Sequence, residues 1–225
     1  MGLSLAPTAP VLGAATLLQC REQLGTAAFV HGTGRCAHER TCVGVVVHVV
    51  MLDGVPVQSP QWFHGQLSQA NRLFEPIGVG FEAVAVRELP AALADVDDRS
   101  ERDHLGRDDH DPGVVHVFVV RRLADVDIAG DEIRGVHWRD RGVPGRRIVI
   151  LSSIAGDMTL AHELGHFFGL PHSRYAISVM NKTPRDDPRW SQRSFHPREL
   201  AIMRRDRDRM LSDGTLVRRP GPRAR

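Results

Sequence analysis

Apolar and polar positions along the chain follow patterns that predict five short strands. The run at 43–51 is apolar and rich in β-branched residues, which is typical of a strand buried at the centre of a sheet. Further strands are predicted at 79–86, 114–120, 133–138 and 148–151. Charges flank the 133–138 segment, and this favours a position at the edge of the sheet.

Three segments have the residue spacing of helices. In 61–74, apolar residues from Phe63 to Phe74 recur at spacings of four, three and four. A second helix is predicted to begin near Asp157, whose carboxylate can cap it. A third is predicted to begin at Pro197, a favoured first helical position, and to end at about residue 211. Strands interspersed with helices in this way predict an α/β fold.

Two charged segments lack this periodicity. Residues 95–111 contain eight acids and three arginines, which predicts a solvated loop. The alternative is a calcium site with Asp108, Asp109 and Asp111 as ligands, because hard cations bind clustered carboxylates, but no known loop spacing matches. Residues 214–225 are basic and end in a stretch rich in Pro, Gly and Arg, so they are predicted to form a disordered tail.

The overall composition is that of an ordinary globular domain. The chain has 225 residues, with 29 Lys and Arg against 27 Asp and Glu, so its formal net charge is only +2. This length is sufficient to bury a core without disulfides. The balanced charge does not suggest a nucleic-acid partner. No run of about 18 apolar residues is present, so no membrane span is predicted.

The N-terminal segment 1–42 leaves two interpretations open. Its first 20 residues are apolar and uncharged, which fits a signal or pro-segment in hydrophobicity but lacks the positive charge of a secretory signal. The other interpretation is an extension of the folded domain, which is predicted to span 43–213. Cys20, Cys36 and Cys42 permit either a Cys36–Cys42 disulfide or three separate thiols, so they do not fix the cellular compartment.

The most informative stretch lies at 161–173. It matches H-E-x-x-H-x-x-G-x-x-H at all five fixed positions, and histidine occurs only 12 times in the 225 residues, so a chance match is rare. The five positions are His162, Glu163, His166, Gly169 and His172.

The spacing of this motif predicts a catalytic zinc site. Residues four apart on a helix share one face, so His162 and His166 can bind one zinc ion. Glu163 is rotated from His162 by about 100°, which places its carboxylate beside the metal and next to a bound water. Gly169 can end the helix with a positive φ, and His172 can then arrive as the third ligand. Three protein ligands leave one coordination position open, as in catalytic zinc sites.

The motif resembles that of the metzincin zinc endopeptidases, and within that clan it is most similar to the matrixins. Ala161 precedes the first histidine and Ser173 follows the third, as in matrixins. Met180, in the Ser-Val-Met-Asn sequence at 178–181, resembles the methionine of the Met-turn. The resemblance implies that this methionine forms an apolar floor beneath the zinc.

The resemblance also implies the architecture around the site. A twisted, mostly parallel sheet is expected to carry the active-site helix, and 173–213 is expected to form a small irregular lower subdomain with a C-terminal helix. The strand at 132–138 is then expected to pair with an extended peptide substrate. Matrixins also carry structural zinc and calcium signatures ahead of the active-site helix, but these are not found here, so no structural metal is expected.

The function implied is that of a zinc-dependent endopeptidase with one catalytic Zn²⁺, in which Glu163 is the general base. One alternative is an aminopeptidase of archaemetzincin type, although that group has paired cysteines after the motif and no cysteine follows Cys42 here. The other is a zinc-retaining binding protein without activity, which would have no need of Glu163. The family resemblance slightly favours a secreted location. The sequence indicates neither the preferred substrate nor the oligomeric state.

Overall fold

A mixed sheet of seven strands forms the framework of the protein. The computed structural model describes residues 26–31, 41–107 and 110–219. The described residues form nine strands: β1 (Thr41–Leu52), β2 (Val55–Pro56), β3 (Val79–Leu89), β4 (Asp95–Val96), β5 (Val115–Val120), β6 (Arg122–Leu123), β7 (Gly135–Arg139), β8 (Arg147–Ser152) and β9 (Arg218–Arg219). Strands β4 and β6 pair with each other, and the other seven form the sheet. The α-helices are α1 (Pro60–Phe74), α2 (Arg99–His104), α3 (Thr159–Phe167) and α4 (Pro197–Ser212).

The long strands of the sheet lie in the order β3, β1, β5, β8, β7. The first four run parallel to one another, and β7 pairs with β8 in the antiparallel direction. The short strands β2 and β9 pair with the two ends of β1. The predicted α/β fold with a mostly parallel sheet is therefore confirmed, and the antiparallel strand lies at the edge where it was expected.

The Val-rich strand β1 is central because both of its faces are covered. Val45 and Val47 pack in the larger hydrophobic cluster, to which α1 and α3 also contribute. Val50 belongs to a second cluster on the opposite face, together with Phe118 and Ile150 of neighbouring strands. Burial on both faces explains why the run is continuously apolar instead of alternating.

The site helix α3 begins differently from the prediction. Asp157 does not cap it: the residue before the first turn is Met158, which makes no side-chain cap hydrogen bond. Instead, the side-chain oxygen of Gln66 in α1 accepts a hydrogen bond from the Leu160 N–H at 3.0 Å. The Gln66 amide also donates to the Gly156 carbonyl at 2.7 Å. The orphan donors at a helix start can thus be satisfied by a neighbouring helix as well as by a local carboxylate.

The loop predicted at 95–111 contains regular structure, so that prediction is wrong. Its short helix α2 begins with a capping box, in which the Asp98 carboxylate accepts from the Glu101 N–H at 2.8 Å and Glu101 reaches back to the Asp98 N–H at 3.3 Å. The buried Arg102 donates to the Ala124 carbonyl. The Asp-x-x-Glu spacing was the sequence signal for this helix.

The prediction of a disordered tail at 214–225 is also wrong for residues up to 219. Leu216 is buried, and the Val217 N–H donates to the Gly113 carbonyl at 2.9 Å. Strand β9 then pairs with Cys42 and Val43 of β1. This position is available because β5 pairs with β1 only from Val45 onward.

The described residues test two parts of the N-terminal prediction, the domain boundary and the state of Cys42. Phe29 is fully buried, and its ring lies 6.0 Å from that of Phe63 in α1. The folded domain therefore extends N-terminally of the boundary predicted at residue 43. Cys42 is disulfide-bonded, whereas Cys20 and Cys36 lie outside the described residues, as does most of the predicted signal or pro-segment. Among the helices described, none is long and apolar enough to span a bilayer.

Candidate active site

The three motif histidines converge at one point in the structure. One ligand nitrogen from each of His162, His166 and His172 lies within 4.8 Å of the other two. The Nε2 atoms of His166 and His172 are 3.2 Å apart. In the described ranges, this is the one group of three or more His, Cys, Asp or Glu side chains whose geometry could hold a metal ion.

Backbone carbonyls fix the orientation of the two helical histidines. His162 Nδ1 lies 2.9 Å from the Val179 carbonyl, and His166 Nδ1 lies 2.7 Å from the Leu170 carbonyl. A carbonyl oxygen can only accept, so each Nδ1 carries the proton and donates. Each Nε2 is left with a lone pair, which is the state that a metal ligand requires.

The surroundings of these imidazoles favour the neutral form. Burial lowers the pKa of His162 to about 3 and also lowers that of His166, and partial desolvation lowers the pKa of the more exposed His172 to about 4. The neighbouring charge of Lys182 lowers all three in the same direction. Two neutral imidazoles with free Nε2 lone pairs, together with the neutral imidazole of His172, match the donor set of catalytic zinc sites. The residues present therefore fit a zinc ion.

Gly169 ends α3 and sends the chain toward His172. Its φ is +87°, and its N–H donates to the His166 carbonyl while the Leu170 N–H donates to the Gly165 carbonyl. This is the Schellman arrangement that favours glycine. A Cβ at residue 169 would also lie 1.7 Å from Asp206 Oδ2 of α4, so no larger residue fits without movement.

Glu163 is buried beside the histidines. Its Oε2 accepts a hydrogen bond from the His137 backbone N–H of β7 at 2.8 Å. Burial raises the pKa of Glu163 to about 7, while the His137 hydrogen bond and the charge of Lys182 oppose that rise. A carboxyl group with a pKa near neutrality is suited both to accept and to donate a proton.

Met180 packs against the site helix at Gly165. A Cβ on Gly165 would lie 2.5 Å from Met180 Sδ, so the absence of a side chain there lets the methionine approach the helix between His162 and His166. Sequence reasoning did not single out Gly165. Its signal was a glycine inside a helix, which costs about 1 kcal/mol relative to alanine and indicates a packing requirement.

A tight turn at 178–181 presents Met180. The Asn181 N–H donates to the Ser178 carbonyl at 3.1 Å, and the Ser173 N–H donates to the Met180 carbonyl at 3.1 Å. The Ser178 hydroxyl lies within 2.9 Å of both carboxylate oxygens of Glu199, a buried residue in the first turn of α4. The C-terminal helix therefore holds the turn in place.

A cleft of about 1550 Å³ opens above these residues. It is lined by the three histidines and Glu163, by β7 along one wall, and by Lys182 and neighbouring residues along another. No described strand pairs with the outer edge of β7. The Ser152 N–H donates to the Arg134 carbonyl, so alternate residues from Arg134 face β8, whereas Gly135, His137 and Arg139 face the open edge.

The calcium interpretation gains no support from the described residues. Asp108 and Asp109 lie outside them, and the Asp111 carboxylate forms an ion pair with Arg87 at 2.7 Å. Three other histidines have structural contacts: His48 bonds to His116, and His64 lies 3.3 Å from the Phe29 carbonyl.

Comparisons with known proteins find similarity in structure. A scan of protein-family models and a search of curated proteins give no match to this sequence. The fold is similar to that of metalloproteinase-II from Bacteroides fragilis, with 11% identity and a TM-score of 0.52, over 80% of this chain and 60% of that chain. The chain shares its fold with that metalloproteinase.

Two further structures are also similar to this chain. Archaemetzincin from Methanopyrus kandleri is 14% identical, with a TM-score of 0.49, over 75% of this chain and 97% of that chain. A zinc-dependent peptidase from Methanocorpusculum labreanum is 16% identical, with a TM-score of 0.44, over 71% of this chain and 99% of that chain.

Proposed function

We propose that this chain is a zinc-dependent endopeptidase. The observation that carries the proposal is the convergence of three neutral histidines beside a buried glutamate at the floor of an open cleft. His162, His166 and His172 would hold the metal. When bound, zinc supplies Lewis-acid polarisation of the scissile carbonyl and lowers the pKa of its water toward about 7.

The chain's own residues transfer the proton and position the peptide. Glu163 takes the proton of the attacking water and then delivers it to the nitrogen of the departing amine. Its hydrogen bond from His137 holds the carboxylate between the histidines and the edge strand. The open edge of β7 provides backbone groups of Gly135 and Arg139 for antiparallel pairing with an extended peptide.

Among the described strands, none covers the outer edge of β7, so an extended peptide can pair along the cleft on both sides of the site, which favours internal cleavage over removal of a terminal residue. Ser173 after the third histidine and the turn that carries Met180 support placement near the matrixins within the metzincin clan.

A doubly blocked peptide library tests the proposal. An endopeptidase cleaves internal bonds of peptides with an acetylated N-terminus and an amidated C-terminus, whereas an aminopeptidase requires a free N-terminus. We expect cleavage of blocked peptides, loss of cleavage with a chelator, and recovery on zinc addition. Cleavage restricted to free N-termini would replace the proposal with aminopeptidase activity. Zinc binding without any cleavage would favour a binding protein.

A further inference from the structure

The cleft around the three histidines has an excess of positive charge. Its lining contains eight Lys and Arg against five Asp and Glu, whereas the whole chain is almost balanced, at 29 against 27. A cleft lined by one sign of charge raises the local concentration of ligands of the opposite sign. The partners of these side chains decide how much of the charge is available to a ligand.

Four of the five acids in the lining are already engaged. Asp127 and Asp140 form ion pairs with arginines at 2.5 and 2.6 Å. The Asp125 carboxylate accepts hydrogen bonds from two backbone N–H groups of its own loop, and Glu163 is the proposed base. Asp186 is the one acid of the lining for which the described part of the chain provides no hydrogen-bond or ion-pair partner.

Five of the eight cations, by contrast, are exposed and unpaired. Within the described ranges, no residue accepts a hydrogen bond from their side chains or forms an ion pair with them. These five residues are Arg134, Arg139, Arg141, Lys182 and Arg185. Coulomb attraction has no preferred direction and extends over about 8–10 Å at physiological salt, so the five charges together attract an anion that enters the cleft.

Arg139 lies on the face of β7 that is turned toward the site helix α3. A Cβ on Gly135 would lie 2.8 Å from Thr159 Cγ2 and 3.2 Å from Glu163 Cγ, so Gly135 faces α3. Side chains alternate between the two faces of a strand, so Arg139, four residues further on, shares this face. The packing of Trp138 against the hydrophobic cluster on the opposite face agrees with this assignment.

The neighbour of Arg139 across the sheet is another arginine. In the register of β7 with β8, Arg139 is paired with Arg147. Like charges directly opposite each other in an antiparallel pair are unfavourable. Arg147 donates a hydrogen bond to the Phe167 carbonyl of the site helix at 3.1 Å, whereas the Arg139 side chain is exposed beside the open edge of the sheet. An anion at this edge would therefore offset the repulsion between the two arginines.

A peptide strand that pairs with β7 can supply such an anion. The backbone groups of Arg139 point out of the sheet edge, and residues directly opposite each other in an antiparallel pair project to the same face. A peptide side chain opposite Arg139 therefore lies beside the arginine side chain. Strand β7 leads from Gly135, next to Glu163, to Arg139, so an antiparallel peptide meets Arg139 before it reaches Glu163.

We propose that the site takes acidic peptides, in which an Asp or Glu on the N-terminal side of the cleaved bond pairs with Arg139. This inference rests on the proposed peptidase function and names its substrate class. Arg139 is the specificity-determining residue, because it adds a cross-strand ion pair at one peptide position. The other unpaired cations favour acidic peptides as a whole, because their attraction does not depend on register.

Peptides that differ at a single position test this preference. Blocked peptides based on one cleaved sequence carry Glu, Gln or Lys at each position in turn, and kcat/KM is measured for each. At one position N-terminal to the bond, we expect Glu to exceed Gln by about twofold to fivefold, the size of a cross-strand ion pair, and Lys to be cleaved most slowly. The ratio should shrink in 1 M salt, where the screening length is only about 3 Å. Equal values for Glu and Gln at every N-terminal position would overturn the proposal.

A charge swap at Arg139 separates selection from a structural role. Arg139→Gln should lose the preference for Glu over Gln at that position, and Arg139→Glu should reverse it in favour of Lys. Arg139→Glu also replaces the like-charge pair with Arg147 by an opposite-charge pair, so the fold should be retained. The matched control is Arg205→Gln, which removes an exposed cation of α4 outside the cleft and should keep the wild-type ratio. A wild-type ratio in both Arg139 variants would disprove the role of Arg139.

Binding to the metal-free protein gives a readout that does not depend on turnover. The probes are fluorescent, doubly blocked peptides with Glu, Gln or Lys at alternate positions. We expect wild type to bind the Glu peptide most tightly, and Arg139→Glu to bind the Lys peptide more tightly than wild type does. If wild type binds the Glu peptide preferentially but the zinc-loaded protein cleaves no peptide, the peptidase proposal fails and the preference for acidic peptides stands. If peptides are cleaved without any preference for acidic residues, the peptidase proposal stands and this inference fails.

Discussion

The Glu163 carboxylate accepts a hydrogen bond from the His137 backbone N–H at 2.8 Å, and this contact joins the site helix α3 to the edge strand β7. The His137 N–H faces the open edge, but the Glu163 carboxylate accepts from it, so this N–H is not available to an extended peptide. The Glu163 carboxylate is consequently held in a fixed position relative to the edge strand.

Glu163→Gln should separate catalysis from metal binding. The Gln side-chain oxygen can still accept from the His137 N–H, so the fold and the three histidines should be preserved. The base is lost, and we expect kcat to fall by about 10²–10⁴ while the zinc content stays at the wild-type level. Metal analysis and peptide cleavage on the same preparations check this. Peptide cleavage at the wild-type rate would exclude Glu163 as the base.

His172→Ala should have the opposite signature. It removes one of three ligand nitrogens that lie within 4.8 Å of one another, so zinc affinity and activity should fall together. The matched control is His104→Ala, since His104 is exposed on α2 and outside the cluster. Competition with a chelator measures the zinc affinity of both variants. If His172→Ala retained the zinc affinity of the control, the three-histidine site would be disproved.

The parts of the structure that depend on local pattern were predictable from the sequence. The Val-rich run indicates a buried strand whatever its tertiary neighbours are. The i, i+4 spacing of His162 and His166 puts both on one face of a helix. The sheet, its edge strand and the convergence of the histidines follow from such local rules. The same rules also indicated where α3 would end, because Gly169 adopts a positive φ there.

Contacts between distant segments were not predictable in the same way. Gln66 caps α3 from 94 residues away, and no local signal distinguishes it from other glutamines. The pairing of Arg193 with the carbonyls around Lys182 likewise depends on how the irregular segment folds back. Asp157 is not the cap, because the helix begins after Met158 and Gln66 accepts from the Leu160 N–H. Local patterns in a sequence do not identify partners that only the fold brings together.

Two glycines in helices should respond oppositely to alanine. Gly165→Ala places a Cβ 2.5 Å from Met180 Sδ and 3.2 Å from Phe195 Cε1, so the methionine must move in a filled core. We expect a loss of about 1–3 kcal/mol in the free energy of unfolding. Gly65→Ala in α1 meets no atom within 4 Å, and it should gain about 0.5–1 kcal/mol from helix propensity.

Chemical denaturation of both variants measures the two effects. The two substitutions are chemically identical, so the sign difference isolates packing at the site helix from helix propensity. Stabilisation of both variants would mean that Met180 does not pack tightly against Gly165. The zinc affinity of Gly165→Ala reports in addition whether displacement of Met180 disturbs the flanking histidines.

A buried histidine pair far from the site should make the fold sensitive to acid. His48 Nε2 lies 2.9 Å from His116 Nδ1, and His116 Nε2 lies 3.0 Å from the Asp111 carbonyl. The carbonyl must accept, so His116 donates to it and accepts from His48, and both rings are neutral. Burial is the main cause that lowers the pKa of His48 to about 3 and that of His116 to about 4. The charged or titratable groups that also act on the pair are Arg87, His110, Asp111 and Arg146.

The sign of the effect follows from the depressed pKa values. In the unfolded chain both histidines titrate near pH 6.5, so below that pH the unfolded state binds protons that the folded state does not. The contribution of the pair to stability is complete above about pH 6.5 and falls as the pH drops toward 4 and 3, by up to about 1.4 kcal/mol per pH unit for each proton.

His48→Gln retains a donor toward His116 but removes one titrating group, so its unfolding free energy should fall less steeply between pH 6.5 and 4.5. Denaturation of metal-free protein keeps zinc release out of the comparison, and His104→Gln, at an exposed position, should keep the wild-type slope. Equal slopes for His48→Gln and wild type would show that the pair is not held neutral in the folded state.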